Sequence, residues 1–481
     1  MLRGEVRSTA LDLTNASDQG LALPLRVTGL QLPAEALSVH ELVYTATQQG
    51  GSTASALPEA KRTANGWEID LPAGATRQIW LMVDSGKLAA GQQQGQVVVQ
   101  PAGGSAVTVP FRLRVSTVAM PARPSLSLGG WDYTDTSTYG VTDANRQQVV
   151  EFLKRYHVDT PWATGRAMPF GKHAADGTMT EPPDTKYTDA WLDRWQGARQ
   201  YAVFNAFPEV LPDTPAAKKR VTEWINFWVG HLKTKGIEPR QLLLLLFDEP
   251  HEARSDQVII SYARVIKAAQ SEVSIFNDPT YRDPRQATKE MLDLSDILCP
   301  NRPMWIENRA AFEAVYPGRR AAGQRLALYS CSGPVRLLDP YSYHRVQGWE
   351  AFRLDADGMY YWAFGDNGGH SAWNELAAPG TCYSPAFIGP EGIVTSRQME
   401  AIREGIYDYE YLTLLRAAVA AADKANRQDA AAKAARKLLE EAPGRVLGAA
   451  GMNSIEWSTP KDRDLADRVR IEIIEALEKL G

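Results

Sequence analysis

Two carboxylates, Asp248 and Glu249, stand side by side directly after a run from Leu242 to Phe247 that holds five successive leucines. A run so short and so apolar reads as a strand buried on both faces. Its end is then a rim where water is scarce. Burial raises a carboxyl pKa, and a neighbouring carboxylate raises one of the pair further. One of the two is thereby prepared to act as a general acid near neutral pH. A plainer role, capping the following helix, is open to the same residues. Adjacent residues of a regular strand face opposite ways. Both acids reach one site only if the strand loses its pleat at the end, which Pro250 allows.

The elements that must position this pair change character near residue 115. Before it, short β-rich runs (Leu21–Val27, Trp67–Leu71, Gln78–Val83, Gln96–Val99, Val107–Val115) alternate with turn residues and predict an antiparallel β-sandwich over 1–116. Pro121 and Pro124 mark a linker. From Ser125 the rhythm is strand then helix, with eight expected strands: Ser125–Tyr133, His157–Trp162, Gln200–Phe207, Gln241–Phe247, Ser274–Asp278, Asp296–Pro300, Arg325–Cys331 and Gly358–Phe364. The clearest helical patterns are Asp143–Tyr156, Ala216–Lys235, Asp256–Ser271, Arg309–Tyr316 and Arg397–Ala421. Eight alternations predict an α/β fold, a (β/α)8 barrel over 117–425. Ser127-Leu128-Gly129-Gly130 is not the glycine-rich turn of a dinucleotide fold, which weakens a doubly wound sheet. The Ala/Lys/Glu-rich stretch 426–481 predicts closing helices packed on the barrel.

Barrel chemistry sits at the C-terminal strand ends. Those ends nominate Trp131 and Asp132, Trp162, Asn205, Asp248 and Glu249, Asn277 and Asp278, Tyr329, and Trp362 with Asp366. Trp373 follows in the last long loop. Ten of the thirteen tryptophans fall between Trp131 and Trp373. Aromatic faces suit the C–H faces of sugars, so rings at a barrel mouth suit a glycan or glycoconjugate substrate. Trp191, Trp195, Trp224 and Trp228 have helical spacing and are expected in the core.

A retaining glycosidase ordinarily opposes two carboxylates about 5 Å apart across the scissile bond. In many barrel glycosidases the second ends strand seven, but here that strand ends Tyr329-Ser330-Cys331-Ser332. A substrate 2-acetamido group can supply the missing nucleophile, its carbonyl oxygen attacking C1. A carboxylate accepting the amide N–H then stabilises the charge that develops. Asp248 fits that part and Glu249 the acid/base part.

The adjacent Asp248-Glu249 pair resembles the family 20 hexosaminidases and, more closely, the family 123 glycoside hydrolases. The closer likeness lies in Glu400-Ala401-Ile402-Arg403-Glu404-Gly405, followed by Asp408-Tyr409-Glu410-Tyr411. Sandwich, barrel and helical tail also match that family's layout. The resemblance implies a retaining, substrate-assisted β-N-acetylgalactosaminidase, with Asp248 at the acetamido-stabilising position and Glu249 at the acid/base position. Tyr407 stands where the family often has an acid, and the loop from Asp366 through Asn367, Gly368 and Gly369 to His370 departs from its usual form. On physical grounds Glu404 and Asp408, four apart on one helix, repel unless a cation lies between them. A buried ionic network clamping the helix is the expected arrangement.

The net charge of −5 and the lack of any Lys/Arg run argue against nucleic acid as a partner. No apolar stretch is long enough for membrane insertion. The seven histidines form no HxH or HExxH pattern, so no metal and no cofactor is expected. Three scattered cysteines make no disulfide framework. Met1-Leu2-Arg3-Gly4 lacks the apolar core of a signal peptide, yet a trimmed start leaves export open. Oligomeric state is not encoded legibly. Two other readings stay open: a glycosidase using its own carboxylate, Asp366 or Asp132, on sugars without the acetamido group, and a non-catalytic carbohydrate-binding surface protein.

Overall fold

The computed structural model describes residues 1–101, 103–205, 207, 210–366, 370–376, 380–390, 392–449 and 455–481. Ala206 of the third expected strand and Asn367–Gly369 of the loop after the eighth lie outside the described residues.

The N-terminal part is two antiparallel sheets packed face to face. One has three strands, with Thr76–Asp84 between Val6–Thr14 and Leu37–Glu41. The other has five and carries Leu21–Thr28, Gly66–Leu71, Gly91–Val99 and Val107–Val115. Alternation puts Leu23, Leu25, Ile69, Ile79, Leu81 and Val97 into the shared core.

The eight expected barrel strands are all present, mostly shorter than their apolar runs. They are Ser127–Gly129, Trp162–Thr164, Tyr201–Phe204, Leu242–Leu245, Ser274–Asn277, Ile297–Leu298, Arg325–Ser330 and Gly358–Tyr361. They pair in parallel as one sheet, and a bridge from Gly129 to Thr160 closes strand one on strand two. The second strand starts later than its sequence run because His157, with φ +66, ends the preceding helix in a turn. The expected helix Arg309–Tyr316 is two pieces, Arg309–Glu313 and Tyr316–Ala321, because Pro317 opens a new first turn.

The leucine run shows why the fourth strand is rigid. Leu243 and Leu245 point into the barrel with Trp131, Trp162, Phe276 and Tyr360. Leu242, Leu244 and Leu246 point out to the helices. All five are at most 1% exposed, and each fully buried leucine contributes about 2 kcal/mol.

Three C-terminal helices, Arg397–Lys424, Ala430–Ala449 and Leu465–Leu480, pack on the barrel and share an apolar core with Val346 and Trp349. The first of them is locked in two ways. A Cβ on Gly348 would lie 2.1 Å from the Gly405 carbonyl, so only glycine lets the two backbones approach. And the cation expected between Glu404 and Asp408 is Arg345, at 2.9 and 2.7 Å. Arg345 also reaches Asp467 of the last helix at 2.9 Å, while Arg7 of the sandwich reaches Glu404 at 3.1 Å. Glu400 pairs with Arg403, and Glu410 accepts the Ser125 N–H at 2.6 Å. The motif segment is thus a clamp joining sandwich, barrel and tail.

Replacing Arg345 with Met would leave the fully buried Asp408 without its cation. Chemical unfolding should show a loss of about 3–5 kcal/mol. Lys289→Ala, which removes an exposed i,i+4 pair with Asp293, should cost no more than about 0.5 kcal/mol.

Candidate active site

The alternation of strand four stops at its last residues. Leu246 and Phe247 both join the outer core, and Glu249 takes φ +46. This left-handed turn replaces the pleat that would have sent the two acids to opposite faces. Three contacts hold it. The Glu249 N–H donates to Asp278 Oδ1 at 3.2 Å, and the Glu249 carbonyl accepts from Thr280 Oγ1 at 3.1 Å and lies 2.8 Å from His251 Nδ1. Non-glycine residues in this region are strained, so the turn persists because its surroundings determine it.

Asp248, Glu249 and Asp278 form one electrostatic cluster. Asp248 is exposed at the mouth, and the protein packed around it only partly desolvates its carboxyl. That desolvation, with the charge of Glu249, raises its pKa to about 6. Asp278 is buried, and desolvation together with Asp248 and Glu249 holds it well above the usual carboxylate range. Among the described residues no arginine or lysine pairs with any of the three. The Tyr329 hydroxyl, at the end of strand seven, donates to Glu249 Oε1 at 2.5 Å.

The floor beneath the acids is aromatic. Trp131 lies 5.6 Å from Tyr329 and 6.2 Å from Trp362, centroid to centroid, and stacks on Trp162 at 4.5 Å. Trp362 is half-buried and faces Tyr133 and Tyr139 at 6.3 and 5.9 Å.

Not every expected contact lies at this mouth. Asp132 is fully buried and accepts from the Trp162 N–H at 2.8 Å and the Thr134 hydroxyl at 2.9 Å, stitching strand one to strand two. Trp162 is likewise buried, part of the interior packing. Asn277 turns into the core and donates to Ser295 Oγ at 3.0 Å, because it is still within the ladder when Asp278 leaves it. Asp366 is 4% exposed, sits against Gly140 and accepts the Ala372 N–H at 3.1 Å. Trp373 packs against Phe387, ring centroids 4.8 Å apart and tilted by 59°. Asn205 follows strand three, its buried Oδ1 without a partner among the described residues. The polar segment Phe170–Asp184 follows strand two. It forms a small hairpin whose Met179 N–H donates to Glu223 of helix Pro215–Thr234.

Three residues near the acids were not nominated by sequence. Tyr139, from the loop after strand one, feels Asp248, and burial first and that charge second push its hydroxyl to about 12. Cys331 is pushed to about 12 by burial and then by Glu249, Asp248 and Asp278. Tyr383 lies against Gly333, beside Cys331, and senses Glu249. Cys331 was legible as a strand end. The tyrosines sit in loops with no period to place them.

The loop after strand eight is fixed from outside the barrel. Buried Arg336 binds Glu375 at 2.7 Å and donates to the Ala46 carbonyl at 3.0 Å and to Thr45. Ala46 and Thr45 belong to strand Val43–Ala46, which pairs with Ser52–Ala56 in a sandwich hairpin. The sandwich therefore anchors the loop that carries Asp366 and Trp373.

No family model matches the chain, and no curated protein does. Among solved structures, a family 123 glycoside hydrolase from Clostridium perfringens, described for glycolipid glycan hydrolysis, superposes with a TM-score of 0.69 at 11% identity. The match covers 99% of this chain and 93% of that one, so the two share sandwich, barrel and tail. An endo-β-1,4-mannanase from Thermotoga petrophila gives a TM-score of 0.40 at 9% identity, covering 60% of this chain and 77% of that one.

The raised carboxyls carry a stability signature. Asp248 titrates higher in the folded chain than unfolded, so ionising it opposes folding, and the loss develops as pH rises from about 4 to about 6. Asp248→Asn should therefore raise Tm relative to the parent at pH 7.5, on the order of 1–2 °C. The gain should fade toward pH 4, as followed by calorimetry across pH.

Proposed function

We propose that this chain is a retaining glycoside hydrolase that releases β-linked N-acetylhexosamine, most favourably N-acetylgalactosamine, by substrate-assisted catalysis. The observation that carries the reading is the pairing of Asp248 and Glu249 at one mouth, with Tyr329 and no carboxylate closing the strand-seven side. The fold shared with the Clostridium perfringens enzyme supports the reaction class. The galacto preference rests on the family 123 resemblance of the sequence.

In this mechanism the acetamido carbonyl oxygen attacks C1 as the glycosidic bond breaks. Glu249 gives its proton to the leaving oxygen, and a cyclic oxazolinium forms. Asp248 accepts the amide N–H and offsets the positive charge that spreads onto nitrogen, an interaction that strengthens toward the transition state. Water then attacks C1 on the face the aglycone left, Glu249 takes its proton, and the ring reopens with net retention. The left-handed turn at Glu249 lets two neighbouring residues serve one sugar. Half-buried Trp362 gives the ring an apolar face to lie on.

The readings that need an enzyme nucleophile draw on Asp132 or Asp366. Both are buried and already accept backbone N–H groups, Asp132 from Trp162 of strand two and Asp366 from Ala372, which favours the substrate's amide instead.

Glu249→Gln should slow hydrolysis of substrates with poor leaving groups by about 10²–10⁴ and spare activated aryl glycosides far more. Asp248→Asn should slow both kinds. Initial-rate assays on aryl N-acetylgalactosaminide, aryl N-acetylglucosaminide and the aryl hexoside without the acetamido group, each with and without a thiazoline inhibitor, decide the matter. Turnover of the plain hexoside, or unchanged activated turnover by Asp248→Asn, would refute the acetamido role. Glycan binding without product release would indicate a binding protein.

A further inference from the structure

The barrel mouth holds a hydroxyl that the acid chemistry leaves unused. Tyr139, in the loop after strand one, is half-buried, so its phenol is within reach of a ligand. Its ring lies 4.8 Å from Tyr133 and stands edge-on to Trp362 at 5.9 Å, centroid to centroid. Among the described residues its hydroxyl has no hydrogen-bond partner. The loop is nonetheless firmly placed. The Asp366 N–H donates to the Tyr139 carbonyl at 3.0 Å. A Cβ on Gly365 would lie 2.9 Å from the Tyr139 Cβ, so only glycine lets the loops after strands one and eight pack this closely. A phenol in such surroundings ordinarily finds a polar partner, and here a partner has to come from outside the chain.

The surroundings of Tyr139 decide which part of a sugar it meets. In the order of the ladder, strand eight stands opposite strand four, with strand one beside it. Trp362 and Tyr139 thus face the acids across the mouth. Charge divides that mouth in two. Beyond burial, the Tyr139 hydroxyl answers to Asp248. Beyond burial, Cys331 answers to Glu249 before the other acids, and Tyr383 to Cys331 and then to Glu249. In the proposed mechanism Glu249 attends the leaving oxygen on C1 and Asp248 the amide on C2. The next ring carbons, C3 and C4, then lie on the Asp248 side. The aglycone lies on the Glu249 side, toward Cys331 and Tyr383.

We infer that Tyr139 is a specificity-determining residue, its hydroxyl hydrogen-bonded to the sugar hydroxyls on the C3–C4 side while Trp362 carries the C–H face of the ring. This assignment rests on the catalytic roles given to Asp248 and Glu249. A site that offers a hydroxyl a fixed partner rejects the analogue that lacks it, so Tyr139 would select sugars by their substituents remote from the bond that is cut.

The test is a set of initial-rate measurements on the full chain with three substrates: an aryl N-acetylgalactosaminide and its 3-deoxy and 4-deoxy analogues. Tyr139→Phe keeps the ring packing and removes a hydroxyl that supports no internal contact, so the variant should fold as the parent does. On the full sugar it should lower kcat/KM about three- to tenfold, the size of one lost hydrogen bond. The parent should lose about as much on at least one deoxy analogue, and on that analogue Tyr139→Phe should add less than about twofold. Tyr383→Phe, on the aglycone side, should change all three substrates by the same factor. An undiminished kcat/KM for Tyr139→Phe, an equal loss on every substrate, or non-additivity shown by Tyr383→Phe instead would overturn the inference, while turnover of the full sugar keeps the catalytic reading standing. No turnover of the full sugar by the parent sinks both.

Discussion

Three carboxyl groups crowd the end of the fourth barrel strand with no cation beside them, and the surrounding structure answers to that repulsion. Like charges at short range oppose one another's ionisation, most of all where one of them is buried. Asp278 takes the buried place and is held toward its neutral form, while the Glu249 backbone N–H tethers one of its oxygens. Tyr329 donates to Glu249 from across the barrel. Such an arrangement destabilises the chain locally and needs a rigid frame, which the double-faced leucine strand and the aromatic interior provide.

That frame is itself held from outside. The ionic clamp on helix Arg397–Lys424 gathers arginines from the sandwich and from the segment after strand seven onto Glu404 and Asp408. The segment that looks most like a family signature therefore does architectural work. Gly405 belongs to it for the same reason, since the backbone of Arg345 occupies the space a side chain would need. The segment joins the parts whose relative placement shapes the mouth.

Much of this was legible in the residues. Apolar runs located all eight barrel strands, the five leucines marked the stiffest one, and the spacing of Glu404 and Asp408 demanded a cation before Arg345 was known to supply it. Side-chain direction at strand ends was less legible. Past the last ladder bond the two-residue period no longer applies, so Asp132 turned inward while Asp278 reached the cluster, and Asn277, still in the ladder, stayed in the core. Trp131 and Glu249 both adopt positive φ there, which no propensity of tryptophan or glutamate announces. Tyr139 and Tyr383 come from long excursions whose endpoints depend on contacts made far away in sequence.

The hairpin that grips the loop after strand eight has a consequence for how such a protein can change. Arg336 grips both halves of the molecule at once, the Glu375 carboxylate in one and the Ala46 carbonyl in the other, and is sealed from solvent between them. A loop transplanted from another barrel would arrive without its outside handhold, and a sandwich exchanged for a foreign module would leave the loop ungripped. The two halves are therefore bound to diversify together, and new tastes in substrate have to arise by small edits within the existing grip rather than by shuffling parts.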